Sequence, residues 1–160
     1  MYEFIIKKLT NNGYINYEIS NFAKEGFESK HNLGYWNYDD YLGVSMSSTS
    51  KIGNHRYTTT NNFDSYFNSY KNKDEDLTLS KKDLIIENII MSLRTNSGLS
   101  LDVFKTKYGL DFNAIFIHTL DKYNDNLLIK NDYLYVKNKA ILNTILTDFL
   151  IELDSALFYN

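Results

Sequence analysis

The first 23 residues combine a predicted helix with a predicted strand, and this pairing constrains the fold more than any other feature. Glu3–Thr10 carries apolar residues at helical spacing, and Asn11-Asn12-Gly13 is a typical helix stop. The run Ile15–Ala23, INYEISNFA, then alternates apolar and polar side chains, as a half-buried strand does. A helix that leads directly into a strand is half of an α/β repeat and has no sheet to join. We therefore expect the chain to be truncated at its N-terminus or to depend on a segment outside it.

Polar side chains lie within this strand and at its end. If the strand belongs to a barrel or an open α/β sheet, Ser20-Asn21 lies at the carboxyl end, where such folds bind ligands. Glu18 is either a buried carboxylate that contacts a cationic or hydroxylated ligand, or a structural ion pair or exposed strand residue. The residues alone leave both interpretations open.

A polar and aromatic segment follows, and it contains the richest cluster of candidate binding residues. Lys24–Tyr41 is predicted to be a loop in which His31, Asn32, Tyr35 and Trp36 lie close together. In one interpretation His31 is a ligand, a proton donor or a substrate contact. In the alternative it is a loop histidine that hydrogen-bonds the backbone, beside aromatic side chains that only pack.

The residues after this cluster are predicted to form short elements. Leu42–Ile52 contains the small-residue run Ser45–Ser50, which either brings the backbone close to a ligand or forms an extended strand. The glycine and lysine spacing of a phosphate loop is absent. The further predictions are a strand and turn over Asn54–Asn62, a short helix over Phe63–Tyr70, and a domain boundary in the charged stretch Asn72–Asp76.

The second half consists of capped, amphipathic segments. The predicted elements are a helix from the capping box Ser80/Asp83 to Gly98, a helix from Ser100 to Gly109, a helix from Asp111 through Tyr123, a hairpin of Leu127–Lys130 and Tyr133–Val136 around Asn131-Asp132, and a last helix with an apolar stripe from Leu142 to Leu157. Three helices, a hairpin and a helix is the order of a winged helix-turn-helix.

Composition excludes several classes of function. The 160 residues contain no cysteine, so this chain supplies no disulfide, no thiolate metal site and no iron–sulfur ligand. His55 and His118 have no partners at metal-ligand spacing, and no catalytic or metal residue is predicted. No stretch approaches the roughly 18 apolar residues of a membrane span, and no signal peptide is recognised, so we expect a soluble, cytoplasmic protein.

The charge distribution argues against nucleic-acid binding, although the winged-helix order raises that question. The net charge is −3, and residues 80–160 contain nine basic and ten acidic side chains. The third helix offers Lys122 and His118 against Asp111, Asp121 and Asp125. Because phosphate contact needs clustered Lys and Arg, this helix is expected to pack or to contact protein instead.

Several of these motifs together resemble the HemW/HemN radical-SAM family over nearly the whole chain. The resemblance rests on YEISNFA (17–23), Gly26, His31-Asn32, Tyr35-Trp36, Tyr41-Leu42-Gly43 and Ser50, and in the second half on Leu93-Arg94, Gly98-Leu99, Phe104 and Tyr108-Gly109. The combination of YEISNFA with HN-x-x-YW is similar to the HemW branch. Two positions depart from the family pattern: Ser45–Ser50 reads SMSSTS where G-x-G-A-H-S is common, and Glu25 stands where proline is usual.

The resemblance implies a partial (β/α) barrel that binds S-adenosylmethionine and a [4Fe–4S] cluster through a Cys-x-x-x-Cys-x-x-Cys loop that this chain lacks. Ile15–Ala23 would be the last barrel strand, and Thr49, with Glu18 and Asn21, would lie at the cofactor site. His31, Asn32, Tyr35 and Trp36 would contact heme or another tetrapyrrole. Members are heme chaperones or oxygen-independent coproporphyrinogen III oxidase-like proteins.

We therefore expect an α+β chain with two parts. Residues 1–75 are expected to be the closing α/β unit of a radical-SAM barrel, and residues 77–160 a winged-helix-like, mainly α C-terminal domain. The expected function is that of the C-terminal part of a HemW-like protein, with the rest of the barrel as its partner. That part would be inactive alone and would bind no cofactor by itself. The alternative is a free-standing winged-helix module for protein interaction, without catalysis.

Overall fold

In the computed structural model, the described residues 1–158 form helices and three small antiparallel sheets. The side chains of Tyr2, Leu157 and Phe158 lie outside that description, so the predicted stripe residue Leu157 is not assessed. The elements in order are α1 (Tyr2–Thr10), β1 (Ile15–Asn16), β2 (Phe22–Ala23), α2 (Lys30–Trp36), β3 (Thr49–Ile52), β4 (His55–Thr59), α3 (Phe63–Asn68), β5 (Lys73–Thr78), α4 (Lys81–Arg94), β6 (Leu99–Ser100), α5 (Leu101–Tyr108), α6 (Phe112–Ile115), α7 (Ile117–Lys122), β7 (Leu127–Lys130), β8 (Tyr133–Val136), a 3-10 turn (Lys139–Ile141) and α8 (Leu142–Phe158). Among these helices, none combines the length and apolarity needed to cross a membrane.

The N-terminal helix is confirmed, but the continuous strand predicted after it is wrong. Residues 15–23 fold back on themselves, so that Ile15 pairs with Ala23 and Asn16 with Phe22 in an antiparallel two-stranded sheet. The side-chain amide of Asn16 donates to the carbonyl oxygens of Glu18 and Asn21, at 2.5 and 3.2 Å. Because these local bonds satisfy the backbone inside the segment, an alternating pattern that reads as a strand forms a tight turn instead.

The segment Lys24–Tyr41, predicted to be a loop, contains helix α2. Ser29 caps it, since its hydroxyl accepts a hydrogen bond from the backbone N–H of Asn32 at 3.3 Å. The helix has only seven residues and buries none of them fully. It therefore lacks the apolar stripe by which a helix is recognised in a sequence.

A three-stranded sheet with the order β3-β4-β5 follows α2. The turn Gly53-Asn54 joins β3 to β4, which places Lys51 opposite Arg56 and Thr49 opposite Thr58. The predicted strand within Asn54–Asn62 and the predicted helix after it are confirmed as β4 and α3. All of the charged stretch predicted as a domain boundary except Asn72 lies in β5, an exposed edge strand paired with β4. Charged side chains suit such an edge because they discourage pairing with other chains.

The order of elements predicted for the second half is confirmed. The capping box is present at the start of α4, Ser100 caps α5, and Gly109 ends α5 in the left-handed conformation. The hairpin β7–β8 turns at Asn131 and Asp132, and β6 adds a third strand in the order β6-β8-β7.

Two details of the second half differ from the prediction. Helix α4 ends at Arg94, and Gly98 lies beyond it, where the chain passes close to the backbone of β8. The third helix is broken at Phe116 into α6 and α7. The carboxylate of Glu152 accepts the backbone N–H groups of His118 and Thr119, at 2.8 and 2.9 Å, and so replaces the carbonyl acceptors of an unbroken helix.

The core lies in the second half, where the apolar faces of α4 to α8 meet the hairpin. Phe112 packs edge-on against Phe104 and Phe149, and Phe116 packs edge-on against Phe149, with ring centroids 5.1 to 5.6 Å apart. Such aromatic pairs add to the free energy gained by burying apolar area. The fully buried large side chains of this core are Ile85, Ile89, Leu93, Phe104, Phe116, Leu134, Leu142, Ile145, Phe149 and Leu153.

Candidate functional site

Glu18 and Asn21, predicted at the cofactor site, lie in the turn between β1 and β2. Glu18 is only 2% exposed, and its Oε1 accepts a hydrogen bond from the backbone N–H of Ser20 at 3.0 Å. The carbonyl oxygen of Asn21 accepts from Tyr17 N and from the Asn16 side chain. A ligand would reach the Glu18 carboxylate only if this turn opened.

Thr49, the third residue predicted at that site, lies on β3. Its Oγ1 is 3.0 Å from Oγ1 of Thr58, the residue opposite it on β4. Cross-strand threonine pairs of this kind stabilise a sheet. The Thr49 hydroxyl is thus engaged, and the structure places it in a different element from Glu18 and Asn21.

The serine-rich segment before β3 is folded around its own hydroxyl groups. Ser48 Oγ and Thr59 Oγ1 both donate to the carbonyl oxygen of Ser45, at 2.6 Å. Ser45 and Ser47 have positive φ, at 106° and 57°. Gly43 lies so close to β3 that a Cβ there would be 2.4 Å from the Thr49 carbonyl oxygen. These contacts therefore fix the serine-rich segment against strands β3 and β4.

The predicted polar and aromatic cluster is assembled on α2 in two parts. His31 and Tyr35 pack edge to face with ring centroids 4.8 Å apart, and Tyr35 packs on Tyr41 at 4.6 Å. His31 is exposed, and among the described residues no hydrogen bond or ion pair engages its imidazole. Asn32 is half-buried, and its backbone N–H is taken by the helix cap.

Trp36 lies apart from this stack. Its ring is half-buried near α4, with the Arg94 guanidinium carbon 5.9 Å from the ring centroid. The indole Nε1 and Arg94 Nε are both buried without a hydrogen-bond partner among the described residues. His31 and Tyr35 are thus available to a ligand together, whereas Trp36 is placed to pack against α4.

Sequence reasoning missed a polar cluster that joins the middle sheet to the helical half. Arg56 on β4 binds the Glu87 carboxylate on α4 through both terminal nitrogens, at 3.0 and 2.6 Å. Tyr38 Oη donates to the same carboxylate at 2.6 Å. Burial, followed by this bond to Glu87, raises the pKa of Tyr38 above its ordinary value, so the phenol stays protonated.

Beside this cluster a cleft of about 660 Å³ opens between the sheet and helices α4 and α5. Lys51, only 3% exposed, lies with its ammonium 4.1 Å from the Tyr38 ring centroid and 3.3 Å from Asp40 Oδ1. Lys107 Nζ lies 5.1 Å from the same ring. The Gly53-Asn54 turn signal could have shown that Lys51 faces Arg56, but no sequence signal pointed to Glu87 or Lys107.

Comparison with known proteins gives consistent results for the whole chain. Residues 79–142 match the family model of the HemN C-terminal domain. The chain is 30% identical over 158 residues to the heme chaperone HemW of Lactococcus lactis, covering 95% of this chain and 42% of that protein. It is 32% identical to the heme chaperone HemW of Bacillus subtilis, with 96% and 42% covered.

The fold is similar to that of a solved structure from the same group. Coproporphyrinogen III oxidase (HemN) from Escherichia coli, a radical SAM enzyme, superposes with a TM-score of 0.67 at 18% identity. The superposition covers 96% of this chain and 40% of that one. The chain therefore spans about two-fifths of the length of the relatives it matches.

These matches define a mixed α/β chain that carries a HemN-type C-terminal domain. Along almost its whole length the chain is homologous to heme chaperones of the HemW group, and residues 79–142 are its HemN C-terminal domain. Its own residues do not fit an iron–sulfur cluster, because it has no cysteine and because the described residues contain no group of three or more metal-binding side chains.

Proposed function

We propose that this chain is the C-terminal part of a HemW-like protein that handles heme or a related tetrapyrrole. The similarity to two chaperones along almost the entire chain supports the HemW branch over the oxidase branch. In this proposal the cluster, S-adenosylmethionine chemistry and most of the barrel are supplied by a preceding part of a longer protein. The chain alone carries out no radical reaction.

The observation that carries the proposal is the imidazole of His31 at the start of α2, which is exposed and has no hydrogen bond or ion pair to residues 1–158. Neutral imidazole is a common axial ligand of heme iron. Tyr35 lies one turn further along the helix and against His31, so an aromatic side chain borders the space beside the imidazole. We propose that His31 binds the heme iron and that Asn32 and Tyr35 contact the macrocycle, while Trp36 anchors α2 to α4.

Heme titration of the purified chain, followed by absorbance, tests this proposal. The wild type is expected to give a saturable shift of the Soret band, and His31→Ala is expected to abolish it or to weaken binding about tenfold or more. His118→Ala is the matched control, because His118 is also exposed but lies on α7. Equal binding by wild type and His31→Ala would contradict the assignment of His31.

For the first part of the chain we propose that residues 1–75 close the barrel, with Glu18, Asn21 and Thr49 facing S-adenosylmethionine. Exposed apolar side chains support docking onto a further segment, since Phe4 is 71% and Phe27 81% exposed. Cofactor contact would require the β1–β2 turn to open around Glu18 and the Thr49 hydroxyl to exchange its bond with Thr58 for one to the cofactor. Reconstitution of the chain with iron and sulfide is expected to give no iron–sulfur absorption.

For residues 77–160 we propose a winged-helix-like domain, in which β7–β8 is the wing and β6 its third strand.

A second candidate function, protein interaction without catalysis, is favoured by one observation. The wing exposes apolar side chains, with Leu128, Ile129 and Tyr133 each between 39% and 45% accessible. Nucleic-acid binding is not proposed, and a salt-sensitive gel shift with random duplex DNA would contradict that negative prediction.

A further inference from the structure

The geometry points to a binding site for a small doubly charged oxyanion in the cleft between the middle sheet and helices α4 and α5. This site is separate from the heme proposal and does not depend on it. The volume of about 660 Å³ falls in the range of small-molecule pockets. Five of its ten lining residues are charged, and they are Asp39, Asp40, Lys51, Lys81 and Lys107.

Two of these charges neutralise each other. Asp40 Oδ1 accepts hydrogen bonds from Lys51 Nζ at 3.3 Å and from the backbone N–H of Gly53 at 2.9 Å. The Lys51 ammonium also lies over the Tyr38 ring. The hydrogen bond from Gly53, followed by the Lys51 ammonium, lowers the pKa of Asp40, so this carboxylate stays ionised and remains paired.

The other two lysines form no direct ion pair in the part of the chain that the structure describes, although the Asp40 and Asp39 carboxylates attract Lys107 at longer range. Among the described residues, neither Lys81 at the start of α4 nor Lys107 on α5 makes a hydrogen bond or an ion pair. Burial, and then the nearby Lys51 ammonium, lowers the pKa of Lys107. Both lysines remain exposed, and an anion between them would relieve the repulsion between the Lys107 and Lys51 ammonium groups.

The charge balance selects an oxyanion over a cation. Once Lys51 and Asp40 are paired, two ammonium groups face the single carboxylate of Asp39. Ammonium groups are compact donors that bind phosphate and carboxylate oxygens as point charges. Because Lys81 lies on α4 and Lys107 on α5, the bound anion would also join these two helices.

Titration with inorganic phosphate at low ionic strength tests the site, with succinate as a second arm. Calorimetry is expected to show saturable binding, and amide NMR is expected to show shifts centred on Gly53 and Asn54. Preference for one probe identifies the oxyanion as a phosphate or a carboxylate. If neither probe binds saturably, or if the shifts lie elsewhere, the site is wrong.

Three variants make the test specific. Lys107→Met is expected to weaken binding about tenfold, or about 1.4 kcal/mol. Lys105→Met, which makes the same charge change on the same helix outside the cleft, is expected to leave it within about twofold. Asp39→Asn removes the opposing charge and is expected to tighten binding several-fold, a gain that misfolding cannot produce. Equal effects of Lys107→Met and Lys105→Met would overturn the inference.

Discussion

Arg56 and Glu87 form a two-point ion pair, with both terminal guanidinium nitrogens bound to the two carboxylate oxygens. The side chains are 25% and 22% exposed, so most of the pair is shielded from water. Arg56 lies on β4 and Glu87 on α4, and Tyr38 donates a third hydrogen bond to the same carboxylate. The pair therefore fixes the position of the middle sheet on the helical half.

Removing the charge of Glu87 is expected to destabilise the chain by about 2 kcal/mol, because the Arg56 guanidinium would remain shielded without its partner. Glu87→Gln, compared with the wild type by urea unfolding, measures this loss. Tyr38→Phe removes only one hydrogen bond and is expected to cost about 1 kcal/mol.

The exposed ion pair between Lys105 and Asp111 provides the control for this experiment. Its atoms are 3.3 Å apart and both side chains are at least half exposed. Lys105→Met is therefore expected to change the free energy of unfolding by less than about 0.5 kcal/mol. If Glu87→Gln is no more destabilising than Lys105→Met, the proposed anchoring role is wrong.

Gly98 and Gly109 share a left-handed backbone but differ in their surroundings, so the same substitution separates two effects. Their φ angles are 73° and 69°. A Cβ at Gly98 would lie 2.5 Å from the Leu134 carbonyl oxygen, whereas one at Gly109 would meet nothing within 4 Å. Gly109→Ala is expected to cost about 1 kcal/mol from backbone strain alone.

Gly98→Ala is expected to cost about 3 kcal/mol, since the clash with β8 adds to the strain. Thermal and urea unfolding of both variants provide the measurement. Equal losses at the two positions would show that β8 moves aside without difficulty.

The capping box at the start of α4 predicts both a mutational effect and an acid dependence. Ser80→Ala is expected to cost about 1 kcal/mol. Hydrogen bonds from Ser80 lower the pKa of the Asp83 carboxyl. The stabilisation is therefore complete above the ordinary carboxyl range and is lost as the pH falls through the lowered value. The difference in urea midpoint between the wild type and Ser80→Ala should shrink in acid to the part that comes from the hydrogen bond of the Asp83 N–H to Ser80 Oγ.

Most of the second half could be predicted from the sequence because its signals are local. Ser80 and Ser100 are helix caps, Gly109 is a helix stop and Asn131-Asp132 is a turn, and each is recognisable within a few residues. The β1–β2 turn was not predicted because the alternation of apolar and polar residues indicates a strand, whereas the side-chain hydrogen bonds of Asn16 that form the turn leave no pattern in the sequence. These hydrogen bonds form only when the folded backbone brings the carbonyl oxygens of Glu18 and Asn21 close to the Asn16 side chain.

The candidate sites differ in the same way. His31 is predicted as a site residue because its aromatic neighbours are close in the sequence, and Tyr35 packs against it edge to face one helical turn away. Arg56 and Glu87, which are in contact, lie 31 residues apart in the sequence. The Lys107 position in the cleft depends on how α5 packs. Neither follows from any local pattern, so both had to come from the packing of the two halves.

Lys139 gives a test of stability at alkaline pH. Its ammonium donates to the carbonyl oxygens of Leu93 and Thr95 at the end of α4, and burial lowers its pKa from 10.5 to about 8. Between these two values the unfolded chain binds the proton that the folded chain has released. The contribution of Lys139 to the free energy of unfolding therefore rises with pH across this window and is constant below it.

The free energy of unfolding of the wild type and of Lys139→Met is measured as a function of pH, and one is subtracted from the other. The subtraction removes the contribution of the tyrosines, which titrate in both proteins. The difference is expected to grow by about 1–2 kcal/mol from pH 8 to 10.5, the full effect being reduced because water still screens the partly buried ammonium. Lys130→Met, at an exposed position on β7, is the control for removal of a lysine charge. A flat profile for Lys139→Met would mean that the two carbonyl oxygens compensate fully for the burial of the ammonium.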